Sequence, residues 1–316
     1  MIIEYIGFIL AAFSVIGNDV IQTLGTFIQS NSKAAWWKLF LYIGGILAIV
    51  LFTGWMINGG DATYGRLDKI DRPENLTLWY LIPPILLIFI TRFGLPVSTT
   101  FLILSIFSTD VVLGGMLMKS ISGYGLAFIS AYAIYYFALY KFEKPKKGEL
   151  EPEVKHKLLW GILQWFSTAF LWTQWLIQDF ANIYVFLPKQ LDLTTMLISL
   201  AIMLVILAYI LKSKGGAIQK VVSNKVNSSN IRSATFVDFI YGGVLLFFTT
   251  VNEVPMSTTW AFIGILAGRE IALRGRIKFG HSKQAWRIIG TDFMKVTIGI
   301  SVSVGAVLAL KQIGVI

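Results

Sequence analysis

Residues 95–107 read LPVSTTFLILSIF, and residues 254–266 read VPMSTTWAFIGIL. In each, a proline and a Ser-Thr-Thr triplet open an apolar run, the pattern of a capped helix N-terminus. The two copies are 159 residues apart. Working outward, a second pair appears: GNDVIQT at 17–23 and QDFANIY at 178–184, whose Asp19 and Asp179 stand 160 residues apart. Two motifs recurring in the same order at one offset point to an internal duplication, which is the mark of transporter folds built from repeats. The halves divide into 1–141 and 158–316. Between them lies the charged linker 142–157, within KFEKPKKGELEPEVKHK at 141–157.

Composition names the solvent. Of 316 residues, 56% are hydrophobic and only 14% charged, too few polar groups to cover a soluble fold. The expectation is an all-α integral membrane protein, because a helix satisfies its own backbone groups in lipid. The net charge of +10 comes from Lys and Arg in the loops, which suit anionic lipid headgroups and topology rather than nucleic acid. There is no cysteine, and the two histidines, His156 and His281, fall in basic loops. Disulfides, thiolate sites and intramembrane His chemistry are therefore excluded. The apolar N-terminus lacks a basic start and a cleavage site and reads as a retained helix, not a signal peptide.

Ten membrane-embedded segments are expected: 2–16 continuing brokenly to 28, then 37–58, 78–93, 97–118, 122–141, 158–187, 193–212, 235–252, 256–272 and 290–312. With the linker in the cytoplasm and each Ser-Thr-Thr segment re-entrant, loops 29–38, 141–157, 212–234 and 269–289 lie inside. They hold 19 of the 27 Lys and Arg residues, as the positive-inside rule requires. Each half then crosses an odd number of times, so the halves are inverted and both termini lie outside. Trp36, Trp37, Trp79 and Trp160 fall at span ends, where aromatic belts form.

Asp19 and Asp179 each follow a long apolar run, and an intramembrane carboxylate normally faces a cavity or a partner. Each has an amide beside it, Asn18 or Gln178, and another three residues on, Gln22 or Asn182. Such oxygen ligands suit a hard cation such as Na⁺. The paired N-termini at Ser98, Thr99, Thr100 and Ser257, Thr258, Thr259 offer backbone N–H groups, hydroxyls and the positive end of a helix dipole to an anion. Arg92 precedes the first motif and Glu253 the second, as anion attractor and cation or proton site or as headgroup anchors. Asp110, Asp238, Asp292 and Lys295 read as anchors or intramembrane pairs, and Gly114, Gly115, Gly242 and Gly243 as packing sites.

These motifs resemble the inorganic phosphate transporter (PiT) family, whose repeated signature reads like GANDVANA and whose hairpins begin like PVSTTH. All four motifs occur here in the family's order. The resemblance implies an inverted-repeat fold, a midplane anion site, nearby cation sites and a homodimer in the plasma or inner membrane. Departures are Gln22 for Asn, Gln178 for Asn, a missing glycine in the second signature, Phe101 and Trp260 where the family has His, and no Glu in the second helix of either half. The implied function is Na⁺-coupled phosphate symport by alternating access. The alternatives are a sulfate or other oxyanion permease, H⁺ coupling, and a receptor that binds the anion without moving it. No HExxH, GxSxG or His-rich pattern suggests an enzyme.

Overall fold

The computed structural model describes residues 2–92, 97–139, 156–213 and 231–277, with isolated helical positions between 290 and 312. Pro96, His281, Asp292, Lys295, the side chain of Arg92 and nearly all of the linker 142–157 lie outside the described residues, as do most of the 212–234 loop and the 290–312 segment. Nine α-helices are described: α1 Ile2–Ser30, α2 Trp36–Ile57, α3 Ile82–Arg92, α4 Thr99–Leu104, α5 Asp110–Ile134, α6 Lys157–Tyr184, α7 Leu193–Lys212, α8 Ile231–Val251 and α9 Thr258–Ile277. A 3₁₀ turn leads into α3, where Pro83 and Pro84 withhold two backbone donors, and α5 runs on as a π-helical stretch, Tyr135–Leu139.

Within these bounds lie five helical stretches long and apolar enough to cross a membrane: Ile2–Val20, Trp36–Ile57, Asp110–Ala138, Leu193–Lys212 and Ile231–Val251. The exterior is apolar as well: Ile49, Phe89, Ile129, Phe137 and Val205 are exposed. A water-soluble protein does not present large apolar side chains on this scale; hydrocarbon covers them here.

Several expected boundaries are corrected. The first segment is not broken, since α1 is one continuous helix to Ser30. The expected pair 97–118 and 122–141 divides elsewhere. A six-residue helix, α4, ends at Leu104, and α5 begins at Asp110 and passes straight through 119–121. The physical reason lies in the hydroxyls. Ser105 Oγ bonds back to Phe101 O, Ser108 Oγ bonds to Leu104 O at 2.7 Å, and Thr109 caps the next helix through Val112 N at 3.4 Å. Such side chains compete with the helical ladder. Lys119 read as a loop residue because of its charge, yet it is buried in mid-helix. The last segment of the pair 235–252 and 256–272 runs longer than expected, to Ile277.

Helices α1 and α6 carry the aspartate motifs and occupy the interior, packed on each other. The most extensive helix contact is α5 on α9, followed by α8 on α6. The first is close because of glycine. A Cβ on Gly264 would lie 2.5 Å from Tyr124 O, and one on Gly268 would lie 2.2 Å from Phe128 O. Of the glycines expected to mark packing, Gly242 does, against Phe170 at 2.7 Å, whereas Gly114 and Gly243 face open space.

Residues 58–77 form a compact strap on one end of the helices. Asp61 accepts from Thr63 N at 2.7 Å and Gly65 N at 2.9 Å. Gly60, at φ 100°, turns its carbonyl to Leu191 N at 3.0 Å, a conformation favoured by glycine. Lys189 bridges to Asp68 at 2.5 Å and Arg72 to Glu4 at 2.5 Å.

Candidate functional site

The two Ser-Thr-Thr motifs meet. Ser98 caps α4 through Phe101 N at 3.3 Å, and Ser257 caps α9 through Trp260 N at 3.4 Å. Thr100 Oγ1 donates to Met256 O at 3.1 Å, and Thr259 Oγ1 donates to Val97 O at 3.2 Å. Thr100 and Thr259 occupy the same place in their motifs, as do Val97 and Met256, so the two bonds are reciprocal. All six motif residues, Ser98, Thr99, Thr100, Ser257, Thr258 and Thr259, are buried.

Both aspartates stand against these motifs, fully buried. On α1, Asn18 Nδ2 donates to Asp19 Oδ1 at 2.6 Å and to Val97 O at 3.1 Å, and Thr99 Oγ1 donates to Asp19 Oδ2 at 2.7 Å. On α6, Asn182 Nδ2 donates to Asp179 Oδ1 at 2.5 Å and reaches Thr99 Oγ1 at 3.2 Å and Thr100 Oγ1 at 3.3 Å. Gln178 Nε2 donates to Thr249 Oγ1 at 2.8 Å. Gln22 is buried on α1, one turn beyond Asn18.

The two carboxylates are not equivalent. Both oxygens of Asp19 accept hydrogen bonds, whereas Asp179 Oδ2, Gln178 Oε1 and Asn182 Oδ1 are buried without a donor. Three orphaned acceptor oxygens within five residues of one helix are costly, and a cation on Asp179 Oδ2 or Asn182 Oδ1 would satisfy part of that need. Among the described residues no group of three His, Cys, Asp or Glu side chains could hold a metal ion. A site here would consist of carboxylate, amide and hydroxyl oxygens, the set that suits Na⁺ better than a transition metal.

Other expected residues fall elsewhere. Glu253 is exposed, the position of an interfacial anchor. Asp110 is exposed at the start of α5. Asp238 is neither an anchor nor an ion pair: it is buried, and it accepts from Thr26 Oγ1 and Thr168 Oγ1, each at 2.7 Å. Sequence reading missed Thr249, which receives Gln178, and it missed Arg66 and Lys119, which are both buried. A lone lysine inside the otherwise uncharged run 111–138 was the available signal for Lys119.

No family model matches the chain, and no curated protein matches its sequence significantly. Its structure is similar to a solved structure described as "The sodium-dependent phosphate transporter", with a TM-score of 0.59 at 16% identity over 99% of each chain. The likeness is one of fold.

Proposed function

We propose that the chain is a secondary active transporter of inorganic phosphate that carries Na⁺ in symport and works by alternating access. The observation that supports this reading best is the meeting of two duplicated, hydroxyl-bearing helix N-termini beside two buried carboxylates, one of which leaves acceptor oxygens without donors. The likeness in fold to a sodium-dependent phosphate transporter points the same way.

In this reading the anion sits between the N-termini at Ser98–Thr100 and Ser257–Thr259, with Asn18 and Gln178 at its sides. Asp19, Asp179, Gln22 and Asn182 serve the cation. Two carboxylates of like charge in a low dielectric repel a phosphate dianion strongly. Na⁺ on the free oxygens of Asp179 and Asn182 offsets part of that repulsion and attracts the anion. Binding of each ion favours the other, which is the coupling that symport needs. A carboxylate also accepts a hydrogen bond from protonated phosphate and not from sulfate, which carries no proton at neutral pH.

The same reading takes residues 1–141 and 158–316 as inverted repeats joined by a cytoplasmic linker, 142–157, in a cell membrane. The reciprocal threonine bonds are what a two-fold relation between the halves produces. The test is radiolabelled phosphate uptake into proteoliposomes at fixed pH, with Na⁺ or with choline. Uptake is expected only with Na⁺ and is not displaced by excess sulfate. Full uptake in choline driven by a pH gradient overturns the sodium assignment, and sulfate uptake that phosphate fails to displace overturns the substrate.

A further inference from the structure

Arg66 and Lys119 belong to neither the anion nor the cation groups. Arg66 rises from the strap after α2 and is buried; its Nη1 donates to Asn252 O at 3.0 Å and its Nη2 to Thr249 O at 3.1 Å. Lys119, buried in mid-α5, donates from Nζ to Asn252 O and Asn252 Oδ1, each at 2.9 Å, and to Val254 O at 2.7 Å. Next to it, Ser120 Oγ accepts from Ser257 N at 2.9 Å.

A guanidinium and an ammonium thus converge on one carbonyl, that of Asn252, and neither is hydrogen-bonded to a carboxylate. Like charges this close repel, and burying them is costly. An apolar pair would join these elements more cheaply, so the arrangement calls for a reason beyond stability. Burial lowers the Arg66 guanidinium to about 10, against the opposing pull of the Glu253 and Asp179 charges. What the two cations grip is residues 249–254, the link from the end of α8 into the second Ser-Thr-Thr motif. Both come from the other half of the chain. Among the described residues, the first motif is held by a neutral amide, from Asn18 to Val97 O.

We infer that Arg66 and Lys119 are positioning residues for the second anion arm: anchored in the first half, they hold residues 249–257 so that Thr258 and Thr259 face the first arm. The inference rests on the anion-site reading above. It makes the position of the second arm depend on charge. Thr249 extends the effect inward, because its carbonyl holds Arg66 while its hydroxyl holds Gln178 beside Asp179.

The test compares the wild-type chain with Lys119→Met, Arg66→Gln, Arg66→Lys and Asn252→Ala, all in nanodiscs. Hydrogen exchange is read over 249–260, and inorganic phosphate and sulfate are titrated calorimetrically. Charged hydrogen bonds of this kind predict exchange roughly ten- to a hundredfold faster over 249–260 in Lys119→Met and Arg66→Gln, with phosphate affinity falling by a similar factor. Protection of α7 should not change. Arg66→Lys should regain part of the affinity, because the charge returns without the two-pronged grip. Unchanged arm protection in both neutral variants overturns the inference. So does weaker phosphate binding with a fully protected arm, since the cations would then act on the anion directly. Should the neutral variants fail to fold, Arg66→Lys and Asn252→Ala carry the same comparison, and an arm protected as in wild type in both overturns the inference. A wild-type chain that binds neither anion overturns the anion-site reading, and the exchange measurement still decides the clamp.

Discussion

Replacing Asp179 by Asn removes one charge and almost no volume. Oδ1 of Asp179 is engaged by Asn182 at 2.5 Å, while Oδ2 has no donor, as is true of Asn182 Oδ1 one turn on. If Asp179 holds Na⁺, the substitution deletes a unit-charge attraction worth about 4 kcal/mol at roughly 4 Å and an effective dielectric near 20. Sodium affinity should fall by roughly a thousandfold. Without sodium the same change relieves repulsion between two buried carboxylates, so the variant should melt no lower than wild type. The assay is thermal unfolding in detergent across a Na⁺ titration, with choline holding the ionic strength constant. Wild type should gain about 2.7 kcal/mol at a hundred times its sodium dissociation constant, and Asp179→Asn should gain almost nothing over that range. A variant that keeps the wild-type sodium midpoint would refute the reasoning, because the charge on Asp179 would then play no part in cation binding.

Thr258→Val keeps shape and removes a hydroxyl donor; phosphate binding by calorimetry should weaken by roughly 1.5–3 kcal/mol. Gly268→Ala would force a Cβ to within 2.2 Å of Phe128 O, so melting should reveal a loss of about 1–3 kcal/mol. Gly243→Ala meets nothing within 4 Å, and the same assay should find it neutral or stabilised by about 0.5–1 kcal/mol. A cysteine at Lys146, unique in a chain that has none, should resist an impermeant maleimide applied to intact cells and react once the membrane is opened.

The sequence displayed the parts of the site better than their company. The Ser-Thr-Thr copies and the two aspartates were legible because a duplicated motif repeats its spacing whatever its neighbours do. Their meeting was not, since the bonds from Thr100 to Met256 and from Thr259 to Val97 span 156 and 162 residues, and no local period reports such distances. The inequality of Asp19 and Asp179 was likewise hidden. The two motifs look alike, and only the donors around each oxygen separate them. Helix limits were misread where charge or hydroxyls gave the wrong cue. Lys119 looked like a loop residue because an isolated cation in an apolar run normally marks water, yet backbone carbonyls of a distant segment take the place of solvent. The break at 105–109 was missed because a serine that bonds its own helix is indistinguishable in sequence from one that faces outward.

Glycine brings α5 and α9 so near that backbone touches backbone at Gly264 and Gly268. One of these helices, α5, precedes the linker 142–157 and the other, α9, follows it. Parting two rods in such contact opens a void along their length, which is costly. The boundary between residues 1–141 and 158–316 is therefore not one along which these two helices part cheaply. Any rearrangement that separates residues 1–141 from 158–316 has to break this backbone contact first. The moving parts have to be counted by contact and not by ancestry.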